Sequence, residues 1–551
     1  MASSSPGRAG LGPSKRQAMN TQPRPWWHTA AIYQVYAPSF QDTSGNGIGD
    51  VPGIRRRLDY LQWLGIDALW ITPIFPSPMK DLGYDISDYC AIDPTFGTMA
   101  DFERLLEEVH ARGMRLILDF VPNHTSNEHP WFQQSRTARD NPYRDWYLWH
   151  DPQPDGGPPN NWLSFFGGSA WELDPATGQY YYHAYLTEQP DLNWRSPHVR
   201  KAMLDVMRFW LAHGVDGFRV DVMWHLVKDL LWRDNPIDPE YQPGQPLYYQ
   251  LKPVYSTDQP EVHEIVQMMR TVLDEYGGDK LLVGVVYLPI DHLVAYYGDL
   301  ERSGAHLPFN FQLIVLPWHA PTIGAAIDEY EALLPDHGWP NWVLGNHDKP
   351  RIAARAGAAQ ARVAAMLLLT LRGTPTLYYG DEIGMTDVEE VSPRACGPGV
   401  TVYDRSWRHG RLSHRTPMRW DGEPYAGFST VEPWLSLGPD AETVNVAAAQ
   451  RDQRSTLHLY RRLLALRRGE PALTVGTYRP IPAEGDLLLY IREHEGRRLL
   501  VTLNLGHATV SVELPELRGE VLVSTHLDRA GEAVDGRATM RPDEGLVTAL
   551  A

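Results

Sequence analysis

The sequence predicts an α/β fold built as a (β/α)8 TIM barrel. Three short apolar runs, residues 116–124, 217–222 and 342–348, each end in polar and charged residues. Such runs are typical of strands buried on both faces of a parallel sheet. Amphipathic helix candidates, such as 51–64 and 99–112, lie between strands, and the alternation repeats about eight times before residue 382.

Breaks in this alternation predict the domain limits. The barrel is expected at residues 26–124 and 190–468, interrupted by a Pro-, Gly-, Trp- and Tyr-rich insertion at 125–189 that follows the third strand. A loop of that length inside a compact domain is usually functional. At 469–551 the pattern changes to alternating strands with Gly and Glu turns, which predicts a C-terminal antiparallel β-sandwich domain. Residues 1–25 are basic and polar and predict a disordered N-terminal tail.

Polar residues at the ends of the predicted strands indicate where the chemistry lies. In a barrel of this kind the C-terminal ends of the strands meet at one mouth. Any one of these residues alone fits a hydrogen-bonded loop position, but six at equivalent positions predict a site. The six are Asp119, His124, Arg219, Asp221, His347 and Asp348.

Five motifs along the chain resemble those of a known enzyme family. They are DFVPNH (119–124), QPDLN (189–193), GFRVDV (217–222), GNHD (345–348) and GTPTLYYGDEIGM (373–385). In this order they resemble the α-glucosidases of glycoside hydrolase family 13, the α-amylase family, in the branch that contains oligo-1,6-glucosidase. The resemblance implies that the insertion is a small domain forming one wall of the cleft.

The resemblance also implies a retaining mechanism through two displacements, with two carboxyl groups roughly 5 to 5.5 Å apart. Asp221 matches the nucleophile, and Asp348 matches the third carboxylate, which grips the sugar's 2- and 3-hydroxyls. Arg219 lies two residues before Asp221 on a strand and therefore faces the same side, where it is expected to hold Asp221 ionised.

The same family pattern implies the groups that bind the sugar. His124 and His347 match donors to sugar hydroxyls, Asp81 and Tyr84 match the pair that closes and floors the first sugar pocket, and Arg415 matches the arginine that forms a salt bridge across it. A pocket closed in this way admits only a chain end. The implied substrate is therefore a small α-glucoside such as maltose or isomaltose, and Val222 after the nucleophile resembles members that act on α-1,6 linkages.

One position departs from the family pattern. The fifth-strand motif has glutamate directly after its glycine, whereas this chain has Val285, and the nearest acidic residues, Asp279 and Asp291, lie six positions away on either side. Valine cannot transfer a proton, and general acid–base catalysis contributes roughly 10² to 10⁴-fold to rate. Ordinary glucosides are therefore expected to turn over slowly. An engineered substitution, a natural pseudoenzyme and a transferase that uses activated donors all fit this pattern.

A loop near residue 45 carries the composition of a cation site. Its oxygen-bearing residues alternate with glycines, and no glutamate occupies the twelfth position, so it is not an EF-hand. The resemblance implies a structural Ca²⁺ or Mg²⁺, and the alternative is an Asx- and Gly-rich turn with no ion. The implied ligands are Asp42, Ser44, Asn46, Asp50 and the Ile48 carbonyl.

Composition limits the partners and the compartment. A formal charge of −18 argues against nucleic acid as a partner. No apolar run is long enough to suggest a membrane span. Two widely spaced cysteines, Cys90 and Cys396, and a start without an apolar signal segment indicate a cytoplasmic protein. The oligomeric state stays open. Two functions remain: an acid-deficient α-glucosidase or transglucosidase, and a non-catalytic carbohydrate-binding or interaction protein on the same barrel.

Overall fold

The computed structural model of the chain describes residues 24–299, 301–389 and 410–551, apart from the side chains of 515–517. The predicted disordered tail at 1–25 therefore lies almost entirely outside the described residues, as does Cys396.

The first part of the chain alternates strands with helices. Thr98 and Asp101 begin the third helix with a capping box, in which each side chain accepts a hydrogen bond from the other residue's backbone N–H. Gly65, at φ 101°, ends the second helix in the left-handed conformation that favours glycine. The elements are β1 (Ile32–Val35), α1 (Val51–Arg56), α2 (Leu58–Leu64), β2 (Ala68–Ile71), α3 (Met99–Ala111) and β3 (Arg115–Phe120).

An inserted segment follows β3 and forms a small antiparallel sheet of its own. Its elements are α4 (Pro130–Ser135), β4 (Trp149–His150), β5 (Trp171–Asp174) and β6 (Gln179–Tyr182), and the strand order is β4-β6-β5. Aromatic rings fill its interior; Phe132 and Trp149, for example, lie parallel with centroids 5.7 Å apart. The limits 125–189 stay a prediction.

The chain then returns to the barrel and completes it. The elements are α5 (Pro197–Ala212), β7 (Gly217–Val220), α6 (Val262–Asp274), β8 (Leu281–Val285), α7 (Ile290–Leu293), β9 (Leu307–Phe309), α8 (Gln312–Val315), α9 (Ala320–Leu333), β10 (Asn341–Val343), α10 (Ile352–Ala356), α11 (Ala358–Thr370) and β11 (Thr374–Tyr378).

Eight parallel strands form a nearly closed barrel, in the order β10-β11-β1-β2-β3-β7-β8-β9. One side chain connects the two end strands, β9 and β10. Asn341 on β10 donates to the Pro308 carbonyl at 2.5 Å and accepts from the Asn310 N–H at 3.0 Å. The predicted barrel is therefore confirmed.

A second sheet follows the last barrel helices. The elements are α12 (Val446–Arg451), α13 (Thr456–Gly469), α14 (Pro471–Thr474), β12 (Thr477–Ile481), β13 (Leu487–His494), β14 (Arg497–Asn504), β15 (Val510–Ser524), β16 (Ala533–Met540) and β17 (Gly545–Leu550). The six strands form one antiparallel sheet in the order β12-β13-β14-β17-β15-β16, which confirms the antiparallel C-terminal region. The sandwich architecture, and the limits 26–124, 190–468 and 469–551, stay predictions.

Short 3-10 helices occur mainly in the connections. They are Trp26–His28, Ala37–Ser39, Arg144–Trp146, Met223–His225, Leu247–Gln250, Val294–Tyr297, Asp381–Ile383 and Pro424–Gly427. Within the part of the chain that the structure describes, no helix combines the length and the apolar character needed to span a bilayer.

Two buried arginines join the barrel to the C-terminal sheet through backbone carbonyls. Arg467 on α13 donates to the carbonyls of Leu369 and Leu371 at 3.1 Å each, and to those of Leu473 and Gly373. Arg492 on β13 donates to the carbonyls of Thr370 at 2.5 Å and Gly476 at 3.0 Å. Burial lowers the pKa of Arg467 to about 10, which still leaves it charged at neutral pH.

Replacing Arg467 with leucine should strongly destabilise the protein, because buried carbonyls left without a donor cost about 1 to 3 kcal/mol each. We expect Arg467→Leu to lower the free energy of unfolding by at least about 3 kcal/mol, measured by urea and thermal denaturation. Arg462→Leu is the matched control, since Arg462 is exposed on the same helix. Equal losses in the two variants would contradict this role of Arg467.

Candidate functional site

The barrel register brings Asp221 and Val285 to the same level at the mouth. Arg219 on β7 pairs with Asp119 on β3 and with Val283 on β8, and Val220 pairs with Gly284. Paired residues of parallel strands point to the same face of the sheet, and successive residues alternate faces. Asp221 and Val285, one position beyond the Val220–Gly284 pair, therefore both face the interior of the barrel.

Arg219 links two carboxylates on neighbouring strands. Its Nη1 lies 2.6 Å from Asp119 Oδ1 and 2.6 Å from Asp221 Oδ1. The other Asp119 oxygen accepts hydrogen bonds from Trp70 Nε1 at 2.9 Å and from the Tyr84 hydroxyl at 3.0 Å. Asp119 is thus held through both of its carboxylate oxygens. Asp221 uses one oxygen for the contact with Arg219 and presents its second oxygen to the mouth.

The shared guanidinium changes the expected ionisation of Asp221. Burial raises the pKa of Asp221 to about 7, and the nearby Asp119 and Asp348 add to the rise while Arg219 opposes it. The sequence led us to expect that Arg219 alone would keep Asp221 ionised. The structure differs because the same cation also serves Asp119, so its attraction does not outweigh desolvation.

The backbone turns sharply directly after Asp221. Val222 has φ 38° and ψ 48°, in the left-handed region that a β-branched residue rarely adopts. Such strain costs of order 1 to 3 kcal/mol and is concentrated at functional sites. On β8, a Cβ at Gly284 would lie 2.6 Å from the Met223 sulfur, so a larger residue there would require the Met223 side chain to move.

Arg411 forms a clamp between two carboxylates at the rim. Its Nη1 lies 2.6 Å from Asp81 Oδ1, and its Nη2 lies 2.6 Å from Asp348 Oδ1. Arg415 Nη2 contacts the same Asp348 oxygen at 2.7 Å, and its Nε donates to the His347 carbonyl at 2.7 Å. Burial favours the neutral form of Asp348, but Arg411 and Arg415 hold its pKa well below its usual range.

The contact across the pocket therefore differs from the one expected from sequence. Arg415 was expected to make the salt bridge across the first sugar pocket; the structure gives the Asp81 contact to Arg411, four residues earlier. The only sequence signal for Arg411 was its place in the same segment as HRTPM. Gln189, within the QPDLN motif, was also missed as a site residue. Its amide nitrogen donates to Asp81 Oδ2 at 2.9 Å.

Both predicted histidines lie in the site as neutral groups. Burial lowers the pKa of His124 to about 4, and its Nε2 is 3.1 Å from the Gln189 amide nitrogen. Burial also lowers the pKa of His347 well below its usual value. Its Nδ1 is 2.6 Å from the Gln34 amide nitrogen, its Nε2 is 3.2 Å from Asp348 Oδ2, and Tyr84 stacks on its ring at 5.2 Å.

Aromatic rings form the walls of the mouth. On one side Tyr185 lies 5.4 Å from His124 and 5.5 Å from Phe166, and Phe166 lies 5.5 Å from the Arg411 guanidinium. On the other side Tyr287 stacks on Phe311 at 4.1 Å. Aromatic faces suit the apolar faces of sugar rings, and the polar groups between them suit hydroxyls.

The mouth therefore contains acids and cations but leaves one wall apolar. Every described carboxylate around Asp221 is already engaged by other groups: Asp119 by Arg219, Asp81 by Arg411 and Gln189, and Asp348 by two arginines. Val285 is 1% exposed and offers no proton. The arrangement can bind a neutral ring rich in hydroxyl groups, with the carboxyl of Asp221 beside it.

The loop predicted to bind a cation lies apart from this mouth and closes through its own hydrogen bonds. Asp42 accepts from Ser44 Oγ, Gly45 N, Gly47 N and Ser429 Oγ, at 2.6 to 3.1 Å. Asp50 accepts from Thr43 N, Thr43 Oγ1, Ser44 N and Gly53 N, at 2.6 to 3.0 Å. The Asn46 side chain accepts from Ile48 N at 2.8 Å. The side-chain oxygens of Asp42, Asn46 and Asp50 thus accept hydrogen bonds from the loop itself and from Ser429.

In the described ranges, this loop included, no group of three or more His, Cys, Asp or Glu side chains is arranged to hold a metal.

Known proteins resemble this chain over nearly its full length. A family model described as the alpha amylase catalytic domain matches residues 34–476. The oligo-1,6-glucosidase of Halalkalibacterium halodurans is 40% identical over 541 residues, which cover 92% of this chain and 94% of that protein. The amino acid transporter heavy chain of Mus musculus is 38% identical over 548 residues, which cover 95% and 78%.

A solved structure agrees with these sequence relatives. An alpha-glucosyl transfer enzyme superposes with a TM-score of 0.89 at 38% identity, covering 96% of this chain and 100% of that one. The family match, the identity over most of the chain and the shared barrel lead to one conclusion: this chain belongs to the α-amylase family of glycoside hydrolases, among relatives that include oligo-1,6-glucosidases.

Proposed function

We propose that the chain binds the terminal glucose of short α-glucosides, such as maltose or isomaltose, and attacks its anomeric carbon with Asp221. One observation carries this proposal: Asp221 pairs with Arg219 at the mouth and lies near enough to Asp348 and Asp81, the two carboxylates joined by Arg411, for both to raise its pKa. The clamp closes one side of the pocket, which suits a chain end. The inserted segment, proposed as residues 125–189, supplies Tyr185 and Phe166 to the wall.

The remaining mouth residues fit the binding of one sugar ring. Neutral His124 and His347 can each donate a hydrogen bond, and Asp348, held ionised by two arginines, can accept hydrogen bonds from two hydroxyls. Contacts that strengthen as the ring flattens would favour the oxocarbenium-like transition state. Asp221 must lose its proton before it attacks. Because its pKa is raised to about 7, it is ionised only near neutral pH and above.

We further propose that Val285 occupies the place of the general acid and base. Neighbouring strands lie about 4.8 Å apart, and the two carboxyl groups of a retaining glycosidase lie about 5 to 5.5 Å apart. A carboxyl side chain at position 285, level with Asp221 on the next strand, would therefore fit that separation. With valine there, poor leaving groups such as a sugar alkoxide depart slowly, and the protein holds substrate with little turnover.

Restoring a carboxyl at position 285 should restore hydrolysis. We expect Val285→Glu to raise kcat on maltose or isomaltose by about 10² to 10⁴-fold, the usual contribution of a positioned acid and base. Val285→Gln is the matched control, because it has nearly the same size but cannot transfer the proton. Steady-state rates with purified proteins measure the effect, and similar rates for the glutamate and glutamine variants would refute the assignment.

An activated donor should reveal whether Asp221 is a working nucleophile. A glucosyl fluoride needs little protonation to depart, so Asp221 should form a covalent glucosyl-enzyme that water attacks slowly in the absence of a base. Azide needs no base, so it should accelerate turnover and give the glucosyl azide with retained α configuration. Product analysis and intact-mass spectrometry measure both outcomes.

Asp221→Asn is the control for this experiment, and it should remove both the adduct and the azide effect. If folded wild-type protein forms no adduct and does not respond to azide, the second candidate function becomes the better one. That candidate is a non-catalytic carbohydrate-binding or interaction protein. Two observations favour it: apolar Val285 beside Asp221, and a relative named as a transporter heavy chain that is 38% identical.

A structural Ca²⁺ or Mg²⁺ at the loop of residues 42–50 remains a proposal that rests on the family resemblance. The ion would be held by Asp42, Ser44, Asn46, Asp50 and the Ile48 carbonyl, and it would have to replace hydrogen bonds that Asp42 and Asp50 now accept. Hard cations of this kind prefer such oxygen ligands.

Chelation should therefore lower the melting temperature of wild-type protein without removing sugar binding, because the loop lies outside the mouth. Asp42→Asn should respond less to EDTA than wild type, since it lacks one charged ligand. Thermal unfolding and sugar affinity, each measured with and without EDTA, test this expectation. If EDTA leaves the melting temperature of wild type unchanged, the loop is an Asx- and Gly-rich turn.

A further inference from the structure

A cavity of about 400 Å³ lies between the end of α2 and one face of α13. Its volume falls within the range of roughly 300 to 1,000 Å³ that is usual for small-molecule sites. Gly65, which lines the cavity, ends α2 shortly before β2 begins at Ala68. The cavity therefore lies near the N-terminal ends of the barrel strands, at the end opposite the mouth.

The lining of this cavity is basic although the chain as a whole is acidic. Four lining residues lie three or four positions apart along α13 and so share one helix face: His458, Arg461 or Arg462, and Arg468 one turn beyond Ala465. Among the described residues that line the cavity there is no Asp or Glu. In a chain with 68 acidic residues and 50 Lys and Arg, this is a local reversal of charge.

Contacts with α2 hold two of the guanidinium groups in place. Arg461 Nε donates to the Trp63 carbonyl at 3.2 Å, and the Arg461 Cζ lies 4.6 Å from the centroid of the Trp63 ring. Arg468 Nη2 donates to the Gly65 carbonyl at 3.1 Å and pairs with Asp67 at 2.8 Å. These arginines are ordered before a ligand arrives, which lowers the entropic cost of binding it.

The packing of α13 on α2 does not account for all of this charge. A guanidinium carries five N–H groups. The contacts above engage Nε of Arg461 and Nη2 of Arg468, and Arg462 makes no ion pair or side-chain hydrogen bond with any described residue. Most of the N–H groups of the three arginines are therefore available to a ligand.

We propose that this cavity binds the phosphoryl group of a small phosphorylated molecule. The planar fork of a guanidinium matches two oxygens of one phosphate. A phosphoryl group carries a charge of roughly −1.5 to −2 and three acceptor oxygens, which suits three arginines better than the single charge and two oxygens of a carboxylate. The proposal does not depend on whether Asp221 reacts with a sugar.

The same lining argues against a neutral sugar as the occupant. A neutral ligand would leave three guanidinium groups facing one cavity without a counter-charge, and like charges disfavour one another at short range. The Trp63 ring, the one aromatic ring in the lining, already contacts Arg461 and lies 6.2 Å from Tyr60. Leu64 and Ala465 leave an apolar part of the wall for the organic body of a phosphate ester.

A ligand in this cavity would contact the barrel and α13 at once. The same helix carries Arg467, which donates to the barrel carbonyls of Leu369 and Leu371. Any ligand that binds only the folded protein raises its stability in proportion to the logarithm of ligand concentration. Bound phosphate should therefore be visible as a rise in melting temperature as well as in direct binding.

Isothermal titration of the full chain with inorganic phosphate, at constant ionic strength, tests the proposal. We expect saturable binding at one site and at least about tenfold weaker binding by Arg462→Gln, since hydrogen bonds between charged groups are the strong ones. Arg451→Gln is the matched control, because Arg451 is exposed on α12 and does not line the cavity. It should bind phosphate as wild type does.

Two further titrants decide between sources and chemistries. Glycerol phosphate that binds more tightly than inorganic phosphate would identify a phosphorylated metabolite as the ligand, and equal affinities would identify free phosphate. Acetate that binds as tightly as phosphate would overturn the assignment to a phosphoryl group. Wild type that binds neither phosphate compound, or Arg462→Gln that binds both as wild type does, would overturn the site itself.

Thermal unfolding provides the second readout. Phosphate stabilises proteins in general through its exclusion from their surfaces, so the comparison between variants decides. Without phosphate the three proteins should melt at the same temperature, which shows that Arg462→Gln is folded. Phosphate should then raise the melting temperature of wild type and Arg451→Gln by more than that of Arg462→Gln. Equal rises in all three would contradict a site at the cavity.

Discussion

The arrangement of the mouth depends on one guanidinium shared by two buried carboxylates. Arg219 and Asp119 are register partners on neighbouring strands, and the same nitrogen of Arg219 reaches Asp221. Two buried carboxylates this close are not stable as anions without a cation between them. Tyr84 then connects Asp119 to the stacked ring of His347, which directly precedes Asp348. The groups that would contact the two faces of a sugar are therefore all connected to the ion pair between Arg219 and Asp119.

Valine at position 285 leaves the mouth without a proton donor at that position. It does not take part in the contacts that shape the mouth. The mouth contains the carboxylates of Asp81, Asp119, Asp221 and Asp348, opposed by three guanidinium groups. None of the hydrogen bonds among them involves position 285. A carboxyl there would add a like charge beside Asp221 and would raise the pKa of one of the pair. Under the proposed function, substrate binding and proton transfer are therefore separable.

The sequence motifs indicated most of the mouth residues because four of the five include or directly follow a barrel strand, and strand direction fixes where a strand-end side chain points. Asp221, Asp348, His124 and His347 follow from that rule. Arg411 does not, because it belongs to a segment after the last barrel strand, whose path no periodicity determines. The sequence predicted Arg415 for the contact across the pocket, and only the folded path places Arg411, four positions earlier, against Asp81.

Other properties could not be predicted from the sequence pattern, because they depend on which residues surround a side chain in the folded protein. The sequence pairs Arg219 with Asp221, yet the pKa of Asp221 depends on Asp119, a residue 102 positions away that shares the same cation. The loop at 42–50 has the same oxygen atoms whether they bind an ion or accept N–H groups. The exposure of Leu231 and Ile237 is likewise a tertiary property, since Leu and Ile in a connection do not reveal whether they are covered.

The segment that follows Asp221 is fixed by contacts with a neighbouring strand end. The left-handed turn at Val222 leads through the 3-10 helix Met223–His225 directly to Lys228, which is buried, pairs with Asp191 and donates to Asn123 Oδ1 at 2.9 Å. The Asn123 amide in turn lies 3.1 Å from His124 Nδ1. Lys228 and Asn123 therefore link the segment that follows Asp221 to the segment that carries His124.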